Sequence, residues 1–190
     1  MRSFCIIGLG ETGVTIASLL ISNYPNAKLV IIDPADWISG RYLDLAHAAA
    51  MNEVKLVLNN PAEAATAEFF FYCAGVRNEK GEDRISVIER NKNIIALAFK
   101  GITPTPSAKI IVVTNPVELI AQWIYQYFDK KTIVFGTGTA LDSFRLKYLL
   151  ERDNGGRKVV AEVVGEHGAS MVSLFSQVQT KSELTPIDIE

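Results

Sequence analysis

An α/β fold built on a doubly wound parallel sheet, leading into the beginning of an α+β second domain, is the architecture this sequence predicts. Three observations predict it. Six short apolar runs read as buried strands, and segments of helical spacing separate most of them. The alternation then stops after Asn154-Gly155-Gly156. A strand covered on both faces by crossover helices is a continuous apolar run, not an alternating one, and the first run, residues 4–7, is continuous.

Residues 4–7 form the first run and end in glycines, and 12–20 follow with helical spacing. Residues 28–32 are the second strand, closed by Asp33-Pro34, and 37–51 read as a helix. The third strand is 54–58, and the fourth, 68–73, stops at Ala74-Gly75. A long helix over 84–99 leads to the fifth strand, 109–113. A helix over 117–127 precedes the sixth strand, 132–135, and a last helix covers 141–151. Beyond it, 158–164 and 171–178 look like strands with no helix between them. The change in pattern puts the domain boundary between 142 and 156, giving domains over 1–143 and 144–190.

The 190 residues suit one domain, or one domain and part of another. Hydrophobic residues make up 48% and charged residues 21%, which excludes a disordered chain and implies a large core or a buried subunit interface. A net charge of −2 without a basic block excludes nucleic acid as the main partner. Cys5 and Cys73 both lie in strand-like runs, so a reduced setting fits better than a disulfide scaffold. The start carries no signal-peptide pattern, and every apolar run is too short to span a bilayer. The expected setting is cytoplasmic, with no membrane partner. No cluster of metal ligands stands out, and no metal is expected.

Gly8-Leu9-Gly10-Glu11-Thr12-Gly13 matches G-x-G-x-x-G. Glycines also mark plain turns, but this run follows a strand and opens a helix, as the Rossmann dinucleotide fingerprint requires. Gly8 permits the tight turn, Gly10 lets backbone approach a pyrophosphate, and Gly13 lets the helix pack on the sheet. The helix N-terminus at Glu11 and Thr12 then offers N–H groups and a positive dipole end to phosphates. Asp33 stands twenty residues after Gly13, at the end of the second strand. A carboxylate there accepts hydrogen bonds from the ribose hydroxyls of NAD and repels the 2′-phosphate of NADP. The plainer alternative is a turn residue before Pro34. The cofactor expected is NAD.

Asp142 and Arg145 are three apart, at the start of the last helix, and share its face. They read either as a surface ion pair or as a working pair. In the second case Arg145 grips a substrate carboxylate bidentately and Asp142 holds a histidine. His167 stands in Gly165-Glu166-His167-Gly168, just after an apolar run. Paired with Asp142, it becomes a proton donor whose tautomer the carboxylate fixes. Alone, it is a loop residue. The other histidine, His47 in Asp44-Leu45-Ala46-His47, reads as structural or interfacial.

Several stretches together resemble the L-lactate/malate dehydrogenase family. They are the glycine loop, Asp44-Leu45-Ala46-His47, Cys73-Ala74-Gly75-Val76 with Gly81-Glu82-Asp83-Arg84, Thr114-Asn115-Pro116-Val117, and Gly136 to Arg145 followed by Gly165-Glu166-His167-Gly168. The resemblance covers essentially the whole chain, in the family's order. It implies that His167 is the proton donor and acceptor at the substrate oxygen, with Asp142 as its carboxylate partner. It implies that Arg145 binds the carboxylate of a 2-oxo acid and that Arg84, on a mobile loop, polarises the carbonyl. Asn115 would hydrogen-bond near the substrate oxygen and the nicotinamide, with a cis bond to Pro116, and Ala74 and Gly75 would flank the cofactor.

In this family, substrate choice rests on a loop position that aligns with Asn78. A neutral Asn cannot pair a second carboxylate, so lactate/pyruvate is favoured. Malate/oxaloacetate stands second, because Arg77 and Lys80 flank the position. Ala169 stands where the family usually has Asp, and the chain ends before the segments that complete the family's substrate domain. The resemblance also implies a homo-oligomer, dimer or tetramer, through the helix over 37–51. The function expected is an NAD-dependent oxidoreductase of small L-2-hydroxy acids. The alternative is a non-catalytic NAD-binding or interaction module descended from that family.

Overall fold

A computed structural model describes the backbone of residues 1–76, 84–175 and 179–180, and the side chains of 1–76 and 87–175. The chain separates into two compact units, Met1–Gly136 and Thr137–Glu190.

The first unit is built on a six-stranded parallel sheet. Its strands are β1 (Ser3–Ile7), β2 (Lys28–Ile32), β3 (Lys55–Leu58), β4 (Phe69–Tyr72), β5 (Lys109–Val112) and β6 (Ile133–Gly136). Their spatial order is β3-β2-β1-β4-β5-β6. The chain therefore winds outward from β1 in one direction, returns, and winds outward from β4 in the other. The crevice beyond the carboxyl ends of β1 and β4 is the topological switch point, where such sheets bind ligands.

Period-2 alternation along each strand feeds two separate cores. Cys5, Ile7, Val30, Phe70, Tyr72, Ile110 and Val112 point to one face. Ile95 of α4 (Arg84–Ala98) and Val117, Ile120 and Ile124 of α5 (Val117–Tyr127) cover that face. Phe4, Ile6, Leu29 and Ile31 point to the other face. Ala17 and Ile21 of α1 (Glu11–Asn23), with Leu45 and Ala49 of α2 (Ser39–Met51), cover it. Each helix presents residues three or four apart to the sheet, which is why the helical spacing was readable.

Two features depart from the sequence expectation. A short helix, α3 (Pro61–Ala65), fills part of the stretch between β3 and β4. Asn60 caps it, its side chain accepting from the Glu63 N–H at 3.1 Å, and Pro61 takes the first helical position.

The second departure lies in the other unit, which opens with α6 (Ala140–Asp153). The run 158–164 is not one strand. It forms β7 (Val159–Val160) and β8 (Val163–Val164), with different antiparallel partners, β10 (Gln179–Thr180) and β9 (Val172–Ser173). The reason is local. The Thr139 hydroxyl donates to the Val163 carbonyl at 2.6 Å, and the Val163 N–H donates to the Ser143 hydroxyl at 2.9 Å. Those bonds draw Val163 onto the first turn of α6 and interrupt the ladder. Of the expected strand over 171–178, only Val172–Ser173 is a strand; Met171, Leu174 and Phe175 are not, and 176–178 lie outside the described residues.

Candidate functional site

In the first unit, the loop after β1 and the ends of β2 and β4 enclose a cleft of about 720 Å³. Gly8, Gly10, Asp33, Ala74 and Gly75, all singled out by the sequence, line it. Gly8 has φ +92°, and a Cβ there would lie 2.6 Å from the Ala74 backbone nitrogen, so any side chain would push the loop off β4. A Cβ at Gly13 would overlap the Gly8 carbonyl oxygen, so α1 can approach the loop only with glycine there. Gly10 has nothing within 4 Å of where its Cβ would stand. Glu11 and Thr12 are exposed on the first turn of α1.

Asp33 is held from three sides. One carboxylate oxygen accepts from the Leu9 N–H at 2.7 Å, and the other accepts from the Ala35 N–H at 3.0 Å. Asn59 clasps its backbone, accepting from the Asp33 N–H and donating to its carbonyl, both at 2.8 Å. Each carboxylate oxygen has two lone pairs, so acceptor capacity remains for ribose hydroxyls. Burial pushes the Cys73 thiol, at the cleft wall, up to about 12.

Sequence reasoning missed Asn59, Trp37, Arg41 and Lys100. Asn59, Trp37 and Lys100 line the cleft, and one guanidinium N–H of Arg41 donates to the Leu9 carbonyl at 3.0 Å. Asn59 has φ +49°, a conformation that asparagine tolerates better than most residues, and its place just after a strand was the only available hint.

Asn115 follows β5 at the carboxyl edge of the sheet, is exposed, and has a cis bond to Pro116. Asn78 lies outside the described residues, as do Arg77 and Lys80. Arg84 begins α4, and its side chain lies outside the described residues as well. His47 and Asp44 are both exposed on α2.

In the second unit, Asp142, Arg145 and His167 come together. Asp142 is buried, at 7% exposure, on the first turn of α6. One of its oxygens lies 2.6 Å from Nδ1 of His167, and the other accepts from Arg145 at 3.2 Å. The Thr139 and Ser143 bonds to Val163 set this geometry, fixing β8 on the helix only four residues before His167. An N–H at Nδ1 donating to the carboxylate leaves Nε2 as the ring's proton-exchanging atom. Arg145 keeps 63% of its side chain exposed, with further guanidinium donors beyond the one Asp142 uses. A held imidazole beside a guanidinium can pass a proton and bind an anion. Among the described residues, no three His, Cys, Asp or Glu side chains gather as metal ligands, and no helix is long and apolar enough to cross a membrane.

A six-stranded sheet in this order, with a glycine loop and an acid-tipped β2 at its switch point, defines a dinucleotide-binding α/β domain of the Rossmann class. The chain belongs to the lactate/malate dehydrogenase family, whose NAD-binding domain matches residues 3–135. It is 32% identical over 188 residues to barley (Hordeum vulgare) L-lactate dehydrogenase A, covering 94% of this chain and 52% of that protein. It is 34% identical over 182 residues to Clostridium perfringens L-lactate dehydrogenase, covering 90% and 56%. Among solved structures, Cryptosporidium parvum lactate dehydrogenase, complexed with lactic acid and NAD, superposes with TM-score 0.81 at 26% identity, over 94% of this chain and 59% of that one. The malate dehydrogenase of the same organism gives 0.79 at 29% identity, over 97% and 61%. The chain spans about half the length of the curated relatives it matches.

Proposed function

We propose that this chain is an NAD-dependent oxidoreductase that interconverts a small L-2-hydroxy acid and its 2-oxo acid, lactate/pyruvate first and malate/oxaloacetate second. The observation that carries the proposal is the 2.6 Å contact between His167 Nδ1 and the buried Asp142 carboxylate, with Arg145 on the other oxygen. NADH, when bound, supplies a hydride to the carbonyl carbon. His167 donates its Nε2 proton to the carbonyl oxygen, and Asp142 stabilises the imidazolium before transfer and fixes the tautomer after it. Arg145 binds the substrate carboxylate through paired N–H groups.

Gly8, Gly10, Glu11, Thr12 and Gly13 take the pyrophosphate, Asp33 the adenosine ribose, and Ala74 and Gly75 the wall behind the cofactor. The open space at Gly10 and the cleft beside Asp33 fit a dinucleotide. The roles of Arg84 at the carbonyl, Asn115 at the nicotinamide and Asn78 in substrate choice rest on the family resemblance. In this reading residues 1–143 are the NAD-binding domain and 144–190 begin the substrate domain, in a cytoplasmic homo-oligomer.

NADH oxidation with pyruvate, and separately with oxaloacetate, tests the proposal against His167→Asn. Loss of the general acid lowers kcat by about 10²–10⁴-fold while NADH still binds. Equal turnover by the variant removes His167 from its role. A second reading, a non-catalytic NAD-binding module, draws support from Ala169, which stands where the family usually has Asp. It predicts NADH binding with no turnover of either acid by the unaltered chain.

A further inference from the structure

The geometry points to Arg41 as a positioning residue that sets the phosphate loop's Gly10 N–H for a pyrophosphate, an inference resting on the nucleotide-site reading above. Leu9, between the first two glycines, is clamped at both ends. Its N–H donates to Asp33 at 2.7 Å, and its carbonyl accepts from the Arg41 guanidinium at 3.0 Å. The two clamps come from β2 and α2, 24 and 32 residues away in sequence, so the loop cannot set this orientation alone.

Peptide geometry carries the consequence. The only cis bond found among the described residues is Asn115–Pro116, so Leu9–Gly10 is trans. In a trans peptide the carbonyl of one residue and the N–H of the next point in opposite directions across one rigid plane. Holding the Leu9 carbonyl toward Arg41 therefore aims the Gly10 N–H away from Arg41. Gly10 lines the cleft, with open space where a side chain would be. A cation on the carbonyl also polarises the peptide and makes its N–H a stronger donor.

Arg41 is itself held. Its guanidinium lies 4.9 Å from the centre of the Trp37 ring, and Trp37 lines the same cleft. Stacking on the indole lets a planar guanidinium keep its in-plane N–H groups for the carbonyl. The helical segment that begins at Asp36 thus supplies the aromatic plate, the cation and, through Leu9, the orientation of a backbone donor on another element.

The test separates ligands that carry a pyrophosphate from one that does not. ADP-ribose and adenosine are titrated against the whole chain, against Arg41→Ala and against Arg41→Lys by ligand-observed NMR. Arg41→Ala should weaken ADP-ribose about tenfold and change adenosine less than about twofold, and Arg41→Lys should recover part of the loss through its remaining N–H donors. Adenosine binding also reports that the variant's cleft is folded. If Arg41→Ala weakens both ligands equally, or neither, the positioning role is overturned while the nucleotide site stands. If the unaltered chain binds neither ligand, the nucleotide-site reading falls and takes this inference with it.

Discussion

The unit Met1–Gly136 and the unit Thr137–Glu190 are held together by different forces. The first buries two clusters of large side chains, one on each face of its sheet, with Phe70, Tyr72, Ile6 and Ile31 fully enclosed. The second buries Val159 and Ala161 against Leu146 and Leu150, while Leu141, Phe144 and Tyr148 of α6 are more than half exposed. Among its described residues, the second unit is tied largely by polar contacts: two hydroxyls on Val163, a carboxylate on His167, and Glu151 accepting from the Val159 N–H at 3.2 Å. The functional groups differ accordingly. In the proposed function the sheet unit contributes backbone N–H groups together with the Asp33 carboxylate, and the second unit contributes the side chains of Asp142, Arg145 and His167, the first of which holds the other two.

The largest expected effect tests packing. Phe70→Ala empties a fully buried site and should cost about 3–5 kcal/mol. Val159→Ala removes about two methyl-sized groups from the smaller cluster and should cost about 1–2 kcal/mol. Urea midpoints at an unchanged m-value give both numbers. A Val159→Ala loss equal to or above that of Phe70→Ala would mean the second unit is core-dominated after all.

A smaller effect tests the polar half of the contrast. Ser143→Ala removes the oxygen that accepts from the Val163 N–H, leaving that N–H without this partner, and should cost about 1–3 kcal/mol. Hydrogen exchange should show the loss in the amides around Val163 and Val164, with the strands β1, β4 and β5 keeping their protection. Protection lost across β1 and β4 would show that Ser143 holds more than its own unit.

The same contrast decides what could be read from the sequence. All six sheet strands were legible: the four inner strands are largely buried and write apolar runs, while the edge strands β3 and β6, partly exposed, show as short apolar segments between turns. Residues 158–164 write an equally apolar run, yet the structure breaks it, because hydroxyls 20 and 24 residues away claim Val163. Nothing periodic announces such a bond. The Asp142–Arg145 pair was visible from its three-residue spacing. The 25-residue jump from Asp142 to His167 writes no period: the pairing stood as one of two readings of His167, and the family resemblance favoured it. Arg41 and Asn59 escaped notice because their partners are backbone atoms of distant residues, which leave no mark on composition.

The smallest effect lies at α3, where the densely packed unit uses a polar cap of the kind that dominates the other. A five-residue helix is too short to show a period, so only Asn60-Pro61 could have signalled it. Asn60→Ala should cost about 1 kcal/mol, and Asn60→Asp, which keeps an acceptor, should stay close to the unaltered chain. Glu63, whose N–H the cap receives, also pairs Lys28 and Lys55, each at 2.8 Å. Its hydrogen bonds to Lys28 and then Lys55 hold its carboxyl down, from 4.5 to about 2. A carboxyl lowered on folding stabilises above its unfolded value, so this contribution is complete above pH 4.5 and fades as pH falls toward about 2. Between pH 6 and 8 Glu63 does not titrate, so the Asn60→Ala loss should be constant there. A loss that varied across that range would assign the effect to a group other than the cap.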